Sequence, residues 1–121
     1  MDTIELKEIM RLHRLWLDGA DSGVLADLRG ADLSNADLRY ANLRGADLRY
    51  AIGDGSIIRT IQTGVYIVVI WGPMMSIGCQ SHNWSDWMMF NDTSIHDMDG
   101  QNAVDFWRIW RPILTAIMEV R

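Results

Sequence analysis

The spacing of apolar positions changes three times along this chain, and each change marks a new element. From residue 3 to 17, Leu6, Ile9, Met10, His13, Trp16 and Leu17 recur at three- and four-residue intervals. That interval gathers side chains on one face of a helix. Asp2 and Glu5 stand at the capping-box interval, with Asp in place of Ser or Thr, and Gly19 suits the C-terminal stop. Residues 18–25 read as a connecting turn. From 26 to 50 the period becomes five: ADLRG ADLSN ADLRY ANLRG ADLRY. Ala is always first, Asp or once Asn second, Leu always third. Five matches neither the helical 3.6 nor the strand period of 2, so the chain must turn after every unit.

Gly53-Asp54-Gly55 ends the five-residue rhythm. The spacing then predicts three strands, Ile57–Gln62, Val65–Trp71 and Met74–Cys79, joined at Thr63-Gly64 and Gly72-Pro73. Hairpin-like turns favour a small antiparallel sheet over continuation of the repeats. The last 40 residues read as helical. Ser81 or Asn83 is placed to cap a short helix through Phe90, and Asp92 or Thr93 another through Met98, ended by Asp99-Gly100. Over residues 102–119, Val104, Trp107, Trp110, Ile113, Leu114, Ile117 and Met118 follow a helical period. Pro112 lies inside it and removes a backbone donor, which predicts a kink or division near Trp110.

The repeats resemble the pentapeptide-repeat family, whose pattern is A(D/N)LXX. The resemblance implies a right-handed quadrilateral β-helix with four repeats per square coil and no enzymatic activity. Leu and the Ala two places before it would point inward, and the other three positions outward. The repeats here would make about one coil, which cannot bury its own top and bottom; repeat proteins generally need ~3 or more units and polar end caps. The expected fold is therefore α+β in one domain. A capping helix occupies 1–19, the repeats 20–52, a β segment 53–80 and a helical region 81–121. At four repeats per coil, Asp27 stacks over Asp47 and Arg29 over Arg49. Arg39 and Arg44 face out as well, forming either a solvated wall of paired charge or an arginine comb for phosphate groups. The C-terminal segment is similar to the tails of small phage and prophage members of that family. The shared features are Ile77-Gly78-Cys79 with His82, then Trp84 and Trp87, the Met98-Asp99-Gly100 turn, and a last helix with Phe106, Trp107 and Trp110. No activity comes with that resemblance.

Composition narrows the partners. A net charge of −5 argues against non-specific nucleic-acid binding, which needs clustered Lys and Arg. There is no run of 18 apolar residues to span a membrane, and Met1–Glu5 does not read as a secretory signal. A single Cys, Cys79, excludes an intrachain disulfide and suits a reducing cytoplasm. Six Trp and eight Met imply either an aromatic-rich core or a sticky oligomer surface.

Reactive side chains are densest around Cys79. Cys79 and His82 have a C-x-x-H spacing, but zinc needs more ligands, which only His13, His96 or carboxylates could supply. A Cys79 nucleophile with His82 as base would need an orienting group and an oxyanion hole. The third reading makes Cys79 a small buried residue and Gln80, Ser81 and His82 a strand-to-helix junction. Such a junction aims backbone N–H groups at an anion, with Trp84 or Trp87 stacking on a flat ligand and Arg59 nearby. The expectation is a non-enzymatic protein with no metal, cofactor or catalytic residue. It would be a phage counter-defence factor in the host cytoplasm. As a homo-oligomer joined through Phe106, Trp107 and Trp110, it would sequester a small anionic nucleotide-type ligand. The alternative is a protein-binding inhibitor that imitates DNA and blocks a host DNA-processing or defence enzyme.

Overall fold

The computed structural model describes residues 1–38 and 41–120. The elements run α1 (Thr3–Leu17), β1 (Ile58–Gln62), β2 (Ile67–Trp71), β3 (Met74–Ile77), β4 (Gln80–Asn83), α2 (Trp84–Met89) and α3 (Asp92–Val120). This is an α+β arrangement with one open antiparallel sheet, ordered β1-β2-β3-β4. The chain forms two compact units, Met1–Trp84 and a second that begins at Ser85. No helix among the described residues is long and apolar enough to cross a membrane.

In the first unit, α1 starts where Asp2 accepts a hydrogen bond from the Glu5 N–H at 2.8 Å, the N-cap arrangement expected from the sequence. The repeats between α1 and the sheet follow one local rule. After each Leu the chain turns, and the next Ala N–H donates back to the Leu carbonyl. This occurs from Ala31 to Leu28 (3.1 Å), Ala36 to Leu33 (3.0 Å), Ala41 to Leu38 (3.0 Å), Ala46 to Leu43 (2.9 Å) and Ala51 to Leu48 (3.1 Å). The Asp or Asn before each Leu explains its own presence. Asp27, Asp32, Asn42 and Asp47 each accept from the N–H two residues on, an Asx turn that aims the chain into the bend. Residues four repeats apart pair in parallel: Asp27 with Asp47, and Asp32 with Ile52. The supporting bonds are Leu28 N–H to Asp47 O at 2.8 Å and Leu33 N–H to Ile52 O at 2.7 Å. All five repeat leucines are buried, as the inward assignment requires. Arg39 lies outside the described residues.

The sheet adds its own apolar face to the leucine column. Registers Ile58↔Trp71 and Trp71↔Met74 put these three side chains in one cross-strand row. With Ile67 and Val69 they belong to the same apolar cluster as the leucines, and Leu6, Ile9 and Met10 of α1 join it. Thr60 ties β1 to the last repeat, donating to Ala51 O and accepting from Gly53 N–H, both at 2.9 Å. Gly53 is required there, because a Cβ would lie 2.1 Å from the Ile58 carbonyl oxygen.

Three expectations are corrected. Gly78-Cys79 is a two-residue turn, with Gly78 at φ +57, and residues 80–83 form a fourth strand that runs directly into α2 at Trp84, so Gln80, Ser81 and His82 lie within a strand and not in the expected connection. The cap of α3 is Asn91, whose side chain accepts from Ser94 N–H at 2.9 Å, one residue before the expected Asp92. The break in α3 falls at Asp99 and Gly100, as expected from the sequence, but none occurs at Pro112. Arg108, whose carbonyl loses its donor to Pro112, is exposed, so water can satisfy it. In the second unit, buried Phe106, Trp107 and Leu114 line the helix face that packs, and Trp87 lies 5.3 Å from Trp107, centroid to centroid.

Candidate functional site

Of the side chains that the sequence grouped around Cys79, the structure keeps Gln80 and His82 together and sets Arg59 apart. Cys79 is exposed in the β3–β4 turn, not a buried apolar residue. His82 and Gln80 share one face of β4 and touch, with Nε2 and Oε1 3.1 Å apart. Ser81 points to the opposite face. Arg59 shares the His82 face through the row Arg59, Ile70, Met75, His82, but stands on the far edge of the sheet. Three strand spacings separate them, about 14 Å. Trp84 is half-buried, and its N–H is already given to Pro73 O at 2.7 Å. At six residues, α2 is too short to present an anion-binding N-terminus. Trp87, Trp107 and Phe106 are buried, while Trp110, stacked on Phe106 at 5.9 Å, keeps partial exposure. Among the described residues no three His, Cys, Asp or Glu side chains gather as a metal group.

A concave feature lies elsewhere. A cleft of about 960 Å³ opens between α1 and the second to fourth repeats. One wall is a helical stripe of α1, with Thr3, Lys7, Met10, Arg14 and Leu17 at alternating four- and three-residue steps. The facing wall offers Asp32, Ser34, Asn35, Asp37 and Asn42, with Ala36, Leu38 and Ala41 supplying apolar surface. The Ser34 hydroxyl (2.6 Å) and N–H (3.0 Å) hold the Asp32 carboxyl below its usual range, and the chain's terminal ammonium reinforces this. His13 also lines the cleft and is 1% exposed. Its Nδ1 accepts the Ala26 N–H at 3.1 Å, which places the ring proton on Nε2, a buried atom without a partner. The available sequence signal was Lys7 and Arg14 two helical turns apart beside Met10, a stripe the apolar periodicity does not single out.

On the outer wall, Arg29 and Arg49 hold their own repeat's Asp27 and Asp47 at 2.8 and 2.7 Å. Arg29 also lies 3.7 Å from Asp47, one coil-step along the chain. The Arg29 hydrogen bonds bring the Asp27 carboxyl from an ordinary 3.8 to about 2. Residues 26–52 match the family model described as Pentapeptide repeats (8 copies). Residues 26–52 are pentapeptide repeats. No curated protein and no solved structure matches the chain. The paired charges on the pentapeptide repeats follow the solvated-wall expectation at Arg29 and Arg49: a guanidinium already bonded at both ends to its carboxylate has little left for a phosphate. Chemically, the cleft combines apolar surface, amides, cations and carboxylates, a set suited to holding a molecule.

Proposed function

We propose that this chain is a non-enzymatic binding protein that sequesters a small ligand in the cleft between α1 and the pentapeptide repeats. The cleft is the observation that carries the reading. Its volume of about 960 Å³ suits a small organic molecule. An anionic nucleotide-type ligand is the occupant we propose, and the resemblance of the C-terminal segment to phage and prophage members supports a counter-defence setting in the host cytoplasm. In this reading the repeats form about one coil of a right-handed quadrilateral β-helix. The parallel pairs four repeats apart and the turn after every leucine support that geometry. Homo-oligomerisation is proposed through α3, where Ile109 is 64% and Ile113 44% exposed beside the partly exposed Trp110.

A DNA-mimicking inhibitor is the weaker reading. Asp27 and Asp47, which would imitate phosphates, carry their own arginine counter-ions. Native mass spectrometry of protein purified from cells reports oligomeric state and retained small molecules together. Calorimetry with mono-, di- and cyclic nucleotides then tests the ligand class. No retained molecule and no heat from any nucleotide, with a host enzyme recovered by pull-down, transfers the assignment to the inhibitor.

A further inference from the structure

We infer that the cleft selects organic anions, held by Lys7 and Arg14 from α1 while the amides of Asn35 and Asn42 bond the ligand's neutral end. This rests on the cleft reading and names its recognition chemistry. The argument begins with where the chain uses its cations. Arg11 holds Glu8 at 2.6 Å, Arg29 holds Asp27 at 2.8 Å, and Arg49 and Arg108 hold Asp47 and Asp92 at 2.7 Å. Arg111 lies over the Trp107 ring at 5.9 Å. Among the described residues Lys7, Arg14, Arg44 and Arg59 hold no carboxylate, and of these only Lys7 and Arg14 line the cleft.

The acids around the cleft are mostly engaged. Asp2 caps α1, Asp32 is bonded by Ser34 beside the terminal ammonium, and Asp37 has a partner. Asp18 stands at the C-terminal cap, a full turn beyond Arg14. A hydrogen bond leaves a carboxylate charged, so it is position that sets the cations apart: Lys7 and Arg14 stand mid-helix, while Asp2 and Asp18 lie at the two ends of α1 and Asp32 and Asp37 on the facing wall. Lys7 and Arg14 stand about 10 Å apart along the axis, with Met10 between them, so both reach a ligand whose apolar body lies on Met10 and Leu38. Asn35 and Asn42 face them, and Asn42 offers the donors of its amide NH₂, since its Oδ1 already accepts from the Arg44 N–H.

The test uses two fluorescent probes of one skeleton, anilinonaphthalene sulfonate and the neutral phenylnaphthylamine, titrated into the full chain. Wild type should bind the sulfonate about tenfold more tightly. Lys7→Gln and Arg14→Gln should each weaken sulfonate binding about threefold, and together about tenfold, leaving the neutral probe unchanged. Both side chains are exposed and unpaired, so circular dichroism should match wild type. Arg108→Gln, which breaks an ion pair in the second unit, should change neither probe. Equal binding of the two probes by wild type overturns anion selectivity and leaves the cleft as a ligand site. Sulfonate preference that survives the double variant overturns the assignment to Lys7 and Arg14. Failure of both probes to bind wild type overturns both this inference and the cleft reading.

Discussion

Within residues 26–51 every repeat closes its own turn. A leucine carbonyl, an alanine N–H three residues later and an Asx side chain define the bend, and the leucine then falls inward. The second unit contains no such local rule. Trp107 packs on Trp87 from a distant point in the chain, and the edge contact of Trp87 on Phe90 (5.4 Å) joins α2 to the residues before α3. One region is specified by hydrogen bonds between near neighbours, the other by burial of large rings. The repeats therefore depend on one leucine turned inward in every unit, whereas the helices depend on a few large rings.

A charge placed in the leucine column should break the first region most severely. Leu48 is 0% exposed, and an aspartate there would be buried without a partner. Leu48→Asp should cost about 4 kcal/mol or more and abolish cooperative melting of the first unit, as followed by circular dichroism. A wild-type melting curve would show that the column does not hold the repeats together. The matching lesion in the second unit is Trp107→Ala. It removes a ring that is 4% exposed and should cost about 3–5 kcal/mol through the cavity it leaves. Urea titration should show a lowered midpoint. A midpoint shift below that of an exposed substitution such as Arg108→Gln would mean that the rings do not carry the helical unit.

A polar contact marks the seam between α1 and the repeats. His13 is a buried imidazole whose Nδ1 satisfies the Ala26 N–H. His13→Leu keeps the bulk and leaves that amide without an acceptor, so it should cost about 1–3 kcal/mol. Thermal melting checks this. A neutral effect would mean that Ala26 finds another acceptor and that burial alone fixes α1.

These differences explain what could be read from the amino-acid sequence. The repeats were legible because Ala, Asp and Leu state their constraints within five residues. The strands β1 to β3 were legible from Thr63-Gly64 and Gly72-Pro73. Strand β4 was not: Gln80-Ser81-His82-Asn83 has no apolar alternation, lies on a sheet edge, and follows a turn whose only mark is Gly78. Gln80 and His82 touch as their shared strand face implies, but Arg59 stands apart from them, because sharing one sheet face does not set distance across strands. The cleft was not legible at all. It depends on how α1 lies against the second to fourth repeats, which neither segment specifies by itself.

The smallest expected effect sharpens the comparison most finely, because it isolates the repeats' outer wall. Arg29 holds the Asp27 carboxyl at about 2 against an ordinary 3.8, and Arg49 lowers the Asp47 carboxyl in the same way. A carboxyl whose folded value is depressed adds stability above its unfolded value, and that stability is lost as pH falls through the folded one. The repeats should therefore lose stability between about pH 4 and pH 2. Both Asp27 and Arg29 are more than half exposed, so solvent screens the pair and the loss should be small. Asp27→Asn keeps the Asx turn, since Asn42 already serves that role in the fourth repeat, but removes the titrating charge. Its melting temperature should match wild type near pH 2 and fall slightly below it at neutral pH, and added salt should shrink that gap. An Asp27→Asn chain that melts above wild type at neutral pH would show that Asp27 and Asp47, stacked four repeats apart, repel each other more than Arg29 compensates.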